Sequence, residues 1–317
     1  MDSTQLWTLT DGNAGNRRQA DALAAALTHG PVMDWVLEPQ APWSWCAPRA
    51  LPGASAAFGT SFSHALAQPP RLAIGCGRQG ALATRLLRQR GSTAVQILDP
   101  RIDPRHWDLV IAPEHDGLVG DNVITLVGSL NPVDTLWLAQ ARAAFASFAD
   151  LPQPRTAVLL GGPSAHARFD LAAFEALASQ LDAALAHEGG SVMVTTSRRT
   201  PTDVIAALRK RYVETPNVVW CGDADGINPY PGMLAWADRI VASPDSVNML
   251  SEACATDVPV FVFDPDRVSG RPRLFLDALL ASRRIRRMDT TLASFPVEPL
   301  RETARIAALV KQRLSLA

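Results

Sequence analysis

The chain has 317 residues, room for two domains of ordinary size. Hydrophobic residues make up 47% of it and charged ones 19%, which excludes a disordered chain. A formal net charge of −1 excludes a bulk field that would draw the protein to nucleic acid or to a membrane surface.

At the start of the chain, Met1-Asp2-Ser3-Thr4-Gln5 lacks the basic and apolar regions of a signal peptide. Short β-rich runs then alternate with Ala/Leu-rich runs. The first half predicts strands near residues 5–9, 32–36, 72–74, 95–98, 109–111 and 123–126. The second half predicts them near 157–160, 192–195, 218–220, 239–241 and 260–263. Between them, Ala20, Leu23, Ala24 and Leu27 repeat at helical spacing, as do Leu171, Phe174, Ala178, Leu181 and Leu185. Such alternation predicts an α/β chain with parallel sheets wrapped by helices. The runs near 72 and 260 are continuously apolar, as strands covered on both faces are.

Asp150-Leu151-Pro152-Gln153-Pro154 reads as the linker. It divides the chain into 1–150 and 151–317, two similar Rossmann-like halves, with the last helix able to pack back on the first. Residues 39–52, holding Trp43 and Trp45, read as a long loop with apolar anchors. Cys46, Cys76, Cys221 and Cys254 lie far apart without a C-x-x-C, which predicts reduced thiols. No apolar run reaches the roughly 18–20 residues of a membrane span. A cytoplasmic protein is expected, with peripheral membrane contact left open.

Several loops that follow strands carry residues suited to chemistry. Asp11-Gly12-Asn13-Ala14-Gly15-Asn16 lies between the first strand and the first helix. Its glycines let backbone approach a ligand, and Asp11 sits where open α/β sheets bind ligands. Asp11 is the first candidate general base; the plain alternative is a capped strand–helix turn. Gly75-Cys76-Gly77-Arg78-Gln79-Gly80 is a G-x-G-x-x-G after a strand, with Asp99 about twenty residues on. Three readings stand: a dinucleotide fingerprint, a glycine turn touching another ligand, or packing.

Pro113-Glu114-His115-Asp116 sets an imidazole beside carboxylates, an acid/base arrangement or a solvated loop. Gly161-Gly162-Pro163-Ser164 follows a strand, and Pro244-Asp245-Ser246 precedes a helix that carries Ser251 and Glu252. Small-residue loops at helix N-termini offer free amides and a positive dipole end to an anion. Glu252 would take a ribose diol, or else serve as a buried partner. Ser197-Arg198-Arg199 suits a phosphate or a carboxylate. Arg267, Arg271 and Arg273 read as solvated surface, and Arg283, Arg284, Arg286 and Arg287 as exposed to water or to a membrane face.

Trp7-Thr8-Leu9-Thr10-Asp11-Gly12, Gly75-Cys76-Gly77-Arg78, Gln96-Ile97-Leu98-Asp99-Pro100-Arg101, Pro113-Glu114-His115-Asp116, Gly161-Gly162-Pro163-Ser164, Thr195-Thr196-Ser197-Arg198-Arg199-Thr200 and Asp245-Ser246 through Glu252 occur in this order. With them, nearly the whole chain resembles the family named after a plant mitochondrial fission factor, which has many bacterial members. More distantly it is similar to GT-B glycosyltransferases and non-hydrolysing UDP-sugar 2-epimerases.

That resemblance implies two Rossmann-like domains facing a cleft, with a nucleotide mainly on the second. It implies that Gly161, Gly162 and Ser164 form the glycine loop of that domain. Ser246 and Glu252 match a phosphate- and ribose-binding segment. Asp11, Gly12, Gly15 and Asn16 match the acceptor-side loop, where lipid-linked sugar transferases often carry a His; this chain has none there. The base is left open between Asp11 and the Glu114/His115 pair. The resemblance is to the GT-B class and not to the GT-A type with its D-x-D metal motif, so a metal-independent reaction with no cofactor beyond the nucleotide-sugar substrate is implied.

The expected activity is glycosyl transfer from a nucleotide sugar to an acceptor such as an envelope glycolipid or polysaccharide precursor. Ligand contacts are expected from Gly75, Gly77, Arg78, Asp99, Ser197, Arg198, Arg199, Asp245 and Ser251, besides the loops above. The alternatives are an epimerase using Asp99, Glu114 and His115, a non-catalytic adaptor, and an NAD enzyme built on the Gly75 loop.

Overall fold

The structure, a computed structural model, describes residues 6–212 and 217–316. The Met1–Gln5 reading, and the Gln5 end of the first predicted strand, lie outside them.

Two compact units form. The first holds β1 (Leu6–Thr10), α1 (Ala14–Leu27), β2 (Val32–Val36), α2 (Trp43–Cys46), α3 (Gly59–Ala65), β3 (Leu72–Cys76), α4 (Gly77–Arg88), β4 (Thr93–Ile97), β5 (Leu109–Pro113) and β6 (Val123–Leu126). The second holds α5 (Thr135–Ala144), β7 (Arg155–Leu160), α6 (Leu171–Glu188), β8 (Ser191–Thr196), α7 (Thr202–Arg211), β9 (Val218–Trp220), α8 (Tyr230–Trp236), β10 (Arg239–Ala242), α9 (Val247–Cys254), β11 (Val260–Val262), α10 (Arg271–Ala281) and β12 (Ile285–Arg287). The chain then returns to the first unit as α11 (Glu302–Leu314).

The first sheet runs β2-β1-β3-β4-β5-β6 and the second β12-β11-β10-β7-β8-β9, and within both sheets the paired strands are parallel. Parallel strands need covered faces, and the alternation in β1 and β3 supplies both. Leu6, Ile74 and Cys76 pack with Leu23 and Ala24 of α1 and Ile306 and Val310 of α11. Trp7, Leu9 and Ala73 pack with Leu82, Leu86 and Leu87 of α4 and Phe62 of α3. In the second unit, Val158, Leu160, Val192, Val194, Val241 and Phe261 meet Phe174, Leu177 and Leu181 of α6. Each such large side chain contributes about 1.5–3 kcal/mol on burial.

Strand order reverses direction between β1 and β3 in the first sheet, and between β7 and β10 in the second. At such switch points helices leave on opposite faces, and a crevice opens outside the carboxyl ends of the two strands. The loops flanking these points are Asp11–Asn16 and Gly77–Arg78 in the first unit, and Gly161–Ser164 and Ser243–Ser246 in the second.

The structure departs from the sequence expectations in four places. The units divide at Pro132/Val133, ahead of α5, and the Asp150–Pro154 stretch lies inside the second unit. There α5 is tied to α8, with the Arg142 guanidinium donating to Ala235 O at 2.7 Å. β12 falls in what reads as a solvated arginine run, because only Ile285 of its three residues is buried. Within that run Arg284 is an interior residue, 5% exposed. It donates to the carbonyls of Ala253, Cys254, Thr256 and Val258 at the end of α9. Trp45, expected as an apolar anchor, is 75% exposed, whereas Trp43 packs into the core.

Candidate functional site

In the second unit the switch-point loops are locked together by one carboxylate. The Asp245 side chain has no exposed surface. Its Oδ2 accepts the Gly162 N–H at 2.9 Å and the Arg199 Nη2 at 3.2 Å, and its Oδ1 accepts the Ser243 hydroxyl at 2.6 Å. Ser243 Oγ in turn accepts the Gly161 N–H at 2.7 Å. Thr200 Oγ1 donates to Gly161 O, joining the β8 loop to the same knot. A side chain at Gly161 would fall on the Asp245 carboxylate, and one at Gly162 on the Arg199 carbonyl.

These bonds change the reading of the glycine loop. The amides of Gly161 and Gly162 are spent inside the protein, and the Ser164 N–H donates to Ala167 O at 2.9 Å. Ser164 Oγ accepts from His166 and Ala167 amides. Free loop amides, the expected phosphate grip, are therefore absent at these three positions. Asp245, expected to touch ligand, is enclosed by its partners.

The positive groups that face outward lie beside this knot. Ser246 caps α9, its Oγ accepting the Met249 N–H at 3.4 Å. Val247 and Asn248, in the first turn, have no helical carbonyl behind them, so the positive end of α9 points at the crevice. Ser197 turns the β8 loop: its N–H donates to Leu160 O at 2.8 Å, and its Oγ accepts the Arg199 N–H at 3.2 Å. The Arg199 Nη1 makes only long contacts, 3.4 Å to Gly162 O and 3.3 Å to Pro163 O. Arg198 is exposed and makes no hydrogen bond or ion pair among the described residues. Ser251 and Glu252 are 1% and 3% exposed, and Ser251 Oγ donates to Val247 O at 2.8 Å within the helix.

In the first unit, the loops after β1 and β3 meet through Asn16. Asp11 Oδ1 accepts Asn16 Nδ2 at 2.9 Å and the Asn13 N–H at 3.1 Å, and Oδ2 accepts Asn13 Nδ2 at 2.7 Å. Asn16 also covers Gly77, where a Cβ would stand 2.6 Å from its amide nitrogen. Gly77 has φ +76, so the missing side chain serves both the backbone and the neighbour. Gly75 and Gly80 face each other's backbone, and a Cβ on Gly80 would lie 2.5 Å from Leu9 O. These two glycines of the G-x-G-x-x-G are packing positions, and the motif follows β3, not the first strand of its sheet.

Gly12 donates its N–H to Thr10 Oγ1 at 3.3 Å, and Gly15 lies in the first turn of α1. The Arg78 guanidinium donates to Ser44 O at 2.6 Å.

Further along the same edge, the β4 and β5 loops form a second cluster. Arg101 lies 3.3 Å from Asp99 and 3.6 Å from Asp116. Burial lowers the pKa of His115 against the opposing pull of Asp116 and Glu114. Burial raises Asp116, while His115 and Arg101 hold it down. Glu114 is exposed. Sequence reasoning assigns no site role to Ser243, Thr200 or Gln96. Gln96 is a buried amide that donates to Gly77 O at 3.2 Å. Polar residues inside or at the end of an apolar strand were the available signal. Among the described residues no group of three or more His, Cys, Asp or Glu side chains is placed to share a metal ion. No described helix is long and apolar enough to cross a membrane.

Two parallel-sheet units, each with its conspicuous loops at the switch point, define a GT-B-like α/β protein. The structure of Methanocaldococcus jannaschii UDP-GlcNAc 2-epimerase in complex with UDP-GlcNAc and UDP matches with a TM-score of 0.51. It is 12% identical, and the match covers 97% of this chain and 99% of that one. The chain belongs to the Mitochondrial fission ELM1 family, whose profile matches residues 14–314. It is 30% identical over 277 residues to the mitochondrial fission protein ELM1 of Arabidopsis thaliana, spanning 78% of this chain and 64% of that protein. It is 25% identical to the uncharacterized protein RP120 of Rickettsia prowazekii, over 98% of this chain and 99% of that one.

Proposed function

We propose that the protein is a glycosyltransferase of the GT-B type that takes its sugar from a nucleotide-activated donor without a metal ion. The observation that carries this reading is the cationic loop after β8: Arg199 is set on Asp245, next to the Ser246 cap of α9, and its chain neighbour Arg198 is exposed with no hydrogen bond or ion pair among the described residues. Two guanidinium groups and a helix dipole make a site for the donor diphosphate, and they stabilise the charge that grows on it as the glycosyl bond breaks. The M. jannaschii UDP-GlcNAc 2-epimerase, similar in fold, holds UDP-GlcNAc and UDP, which supports a nucleotide-sugar donor. Binding by loop amides is not part of this reading, since those of Gly161, Gly162 and Ser164 are already used.

In the first unit His115 is the base for the acceptor hydroxyl. Burial keeps its imidazole neutral near pH 7, the form that accepts a proton. Asp11 is the weaker candidate, because both of its oxygens are engaged by Asn13 and Asn16. Asp99, Glu114 and His115 are the candidates for the two acid/base groups that an epimerase needs, so that activity is the second reading.

Thermal shift of the protein with UDP-, CMP-, GDP- and dTDP-sugars against NAD tests the donor site. Stabilisation by one nucleotide sugar that is lost in Arg198→Ala supports it; stabilisation by NAD alone removes it. With the donor known, solvent deuterium entering the sugar at C2 marks the epimerase, and slow donor hydrolysis without exchange marks the transferase. Stabilisation by none of these compounds leaves the non-catalytic adaptor.

A further inference from the structure

We infer that Asp245 is a positioning residue: its buried carboxylate aims the Arg199 guanidinium so that one edge stays available to the diphosphate. The inference rests on the donor reading above and adds to it a division of labour. In that division Gly161 and Gly162 make room for the carboxylate and present nothing to the ligand.

The geometry argues for this in three steps. First, the two edges of Arg199 are unequally held. Nη2 is on the Asp245 carboxylate at 3.2 Å, a charge-assisted bond to a group with no exposed surface. Among the described residues Nη1 has two carbonyls as partners, at 3.4 and 3.3 Å, at the long end of hydrogen bonding. An arriving phosphate oxygen displaces the weak pair and leaves the strong bond in place. A planar guanidinium, unlike an ammonium, can serve two anions on two edges.

Second, Asp245 cannot follow Arg199 outward. Ser243 and the Gly162 amide hold its two oxygens, and the carboxylate fills the space that a side chain at Gly161 would take. The carboxylate is thus a fixed point against which the arginine is set. Third, a buried carboxylate close to a phosphate site repels the ligand unless a cation stands between them. Arg199 is that cation, and its bond to Asp245 must survive when the ligand binds.

Titration of inorganic pyrophosphate by calorimetry, on the full chain, tests the assignment. Arg199→Ala is expected to weaken binding about tenfold, the scale of one charge-assisted bond. Asp245→Asn is expected to weaken it comparably, because a neutral amide holds the guanidinium without the charge-assisted bond that a carboxylate makes. The double variant should bind no more weakly than Arg199→Ala alone, since Asp245 favours binding only through Arg199 and without it repels the anion. Ser243→Ala, which loosens the carboxylate without removing it, should give a smaller loss that also disappears in the Arg199→Ala background. That variant decides the matter if Asp245→Asn fails to fold.

Losses that add in the double variants, or an Asp245→Asn protein that folds and binds pyrophosphate as wild type does, would overturn the positioning role and leave the donor site standing. A wild-type protein that binds neither pyrophosphate nor any nucleotide sugar would overturn both.

Discussion

The two switch points are built from similar words and put to opposite electrostatic use. In the first unit a polar loop folds in on itself: Asn16 fills the space over Gly77 and ties up Asp11. Its cations are spoken for, Arg78 by Ser44 O and Arg101 by Asp99 and Asp116. In the second unit one carboxylate is driven inside and the arginines are left facing out. One edge is thus suited to a neutral or hydroxyl-bearing group and the other to an anion. In both, glycines occur where a neighbour's polar head must enter, so a glycine loop by itself does not identify a phosphate site.

The largest effect that would break this comparison is at Gly161. Gly161→Ala places a methyl on a carboxylate that has nowhere to go, and should destabilise the second unit by about 3 kcal/mol, read from urea unfolding. Arg284→Ala leaves a group of buried carbonyls without a donor and should cost about 2–3 kcal/mol in the same assay. If that variant is neutral, the arginine is a surface residue after all.

Gly77→Ala is the first unit's counterpart to Gly161→Ala. It should cost about 1–2 kcal/mol, from a left-handed backbone and a side chain that can swing aside. Arg198→Ala should reduce nucleotide-sugar affinity about tenfold while changing stability by less than about 0.5 kcal/mol, because the group has no partner to lose among the described residues.

The acidic edge gives a pH prediction. His115 has a folded pKa below its ordinary value of about 6.5, so the folded state holds fewer protons there than the unfolded one. Its contribution favours folding at neutral pH and is lost as pH falls below about 6.5 toward the depressed folded value. Asp116 is shifted upward, and its contribution has the opposite sign: protonation of this carboxyl favours the fold at lower pH. Stability followed from pH 7.5 to 5.5 should decline less in His115→Gln than in wild type. Equal slopes would mean that His115 is solvated.

Much of this was legible in the sequence, because strand burial and helix stripes are local patterns. The apolar runs at β3 and β11, and the stripe through Phe174, Ala178 and Leu181, each predict the surface they bury. The loops also fell where the order of strands and helices says they should, at strand carboxyl ends. What fills the space above a glycine is another matter. Asp245 and Gly161 sit on different strands, and only the placing of β10 beside β7 brings them together. Arg284 misled for the same reason: in a run of arginines, nothing local distinguishes the one that caps a distant helix. β12 was hidden because an edge strand buries one side chain where a central strand buries five. Trp45 shows the converse, since its apolar character says nothing about which way α2 turns it.

The return of α11 to the first unit has a consequence for dissection. The stretch Val133–Arg301 is contiguous and amounts to an insertion within the chain of the first unit. It can be expressed as one uninterrupted segment. A fragment stopping at Pro132 lacks Ile306, Ala307 and Val310, which close one face of its sheet. A first unit cut free in this way should therefore need residues 302–316 spliced back on through a short tether, a rewiring that the second unit does not require.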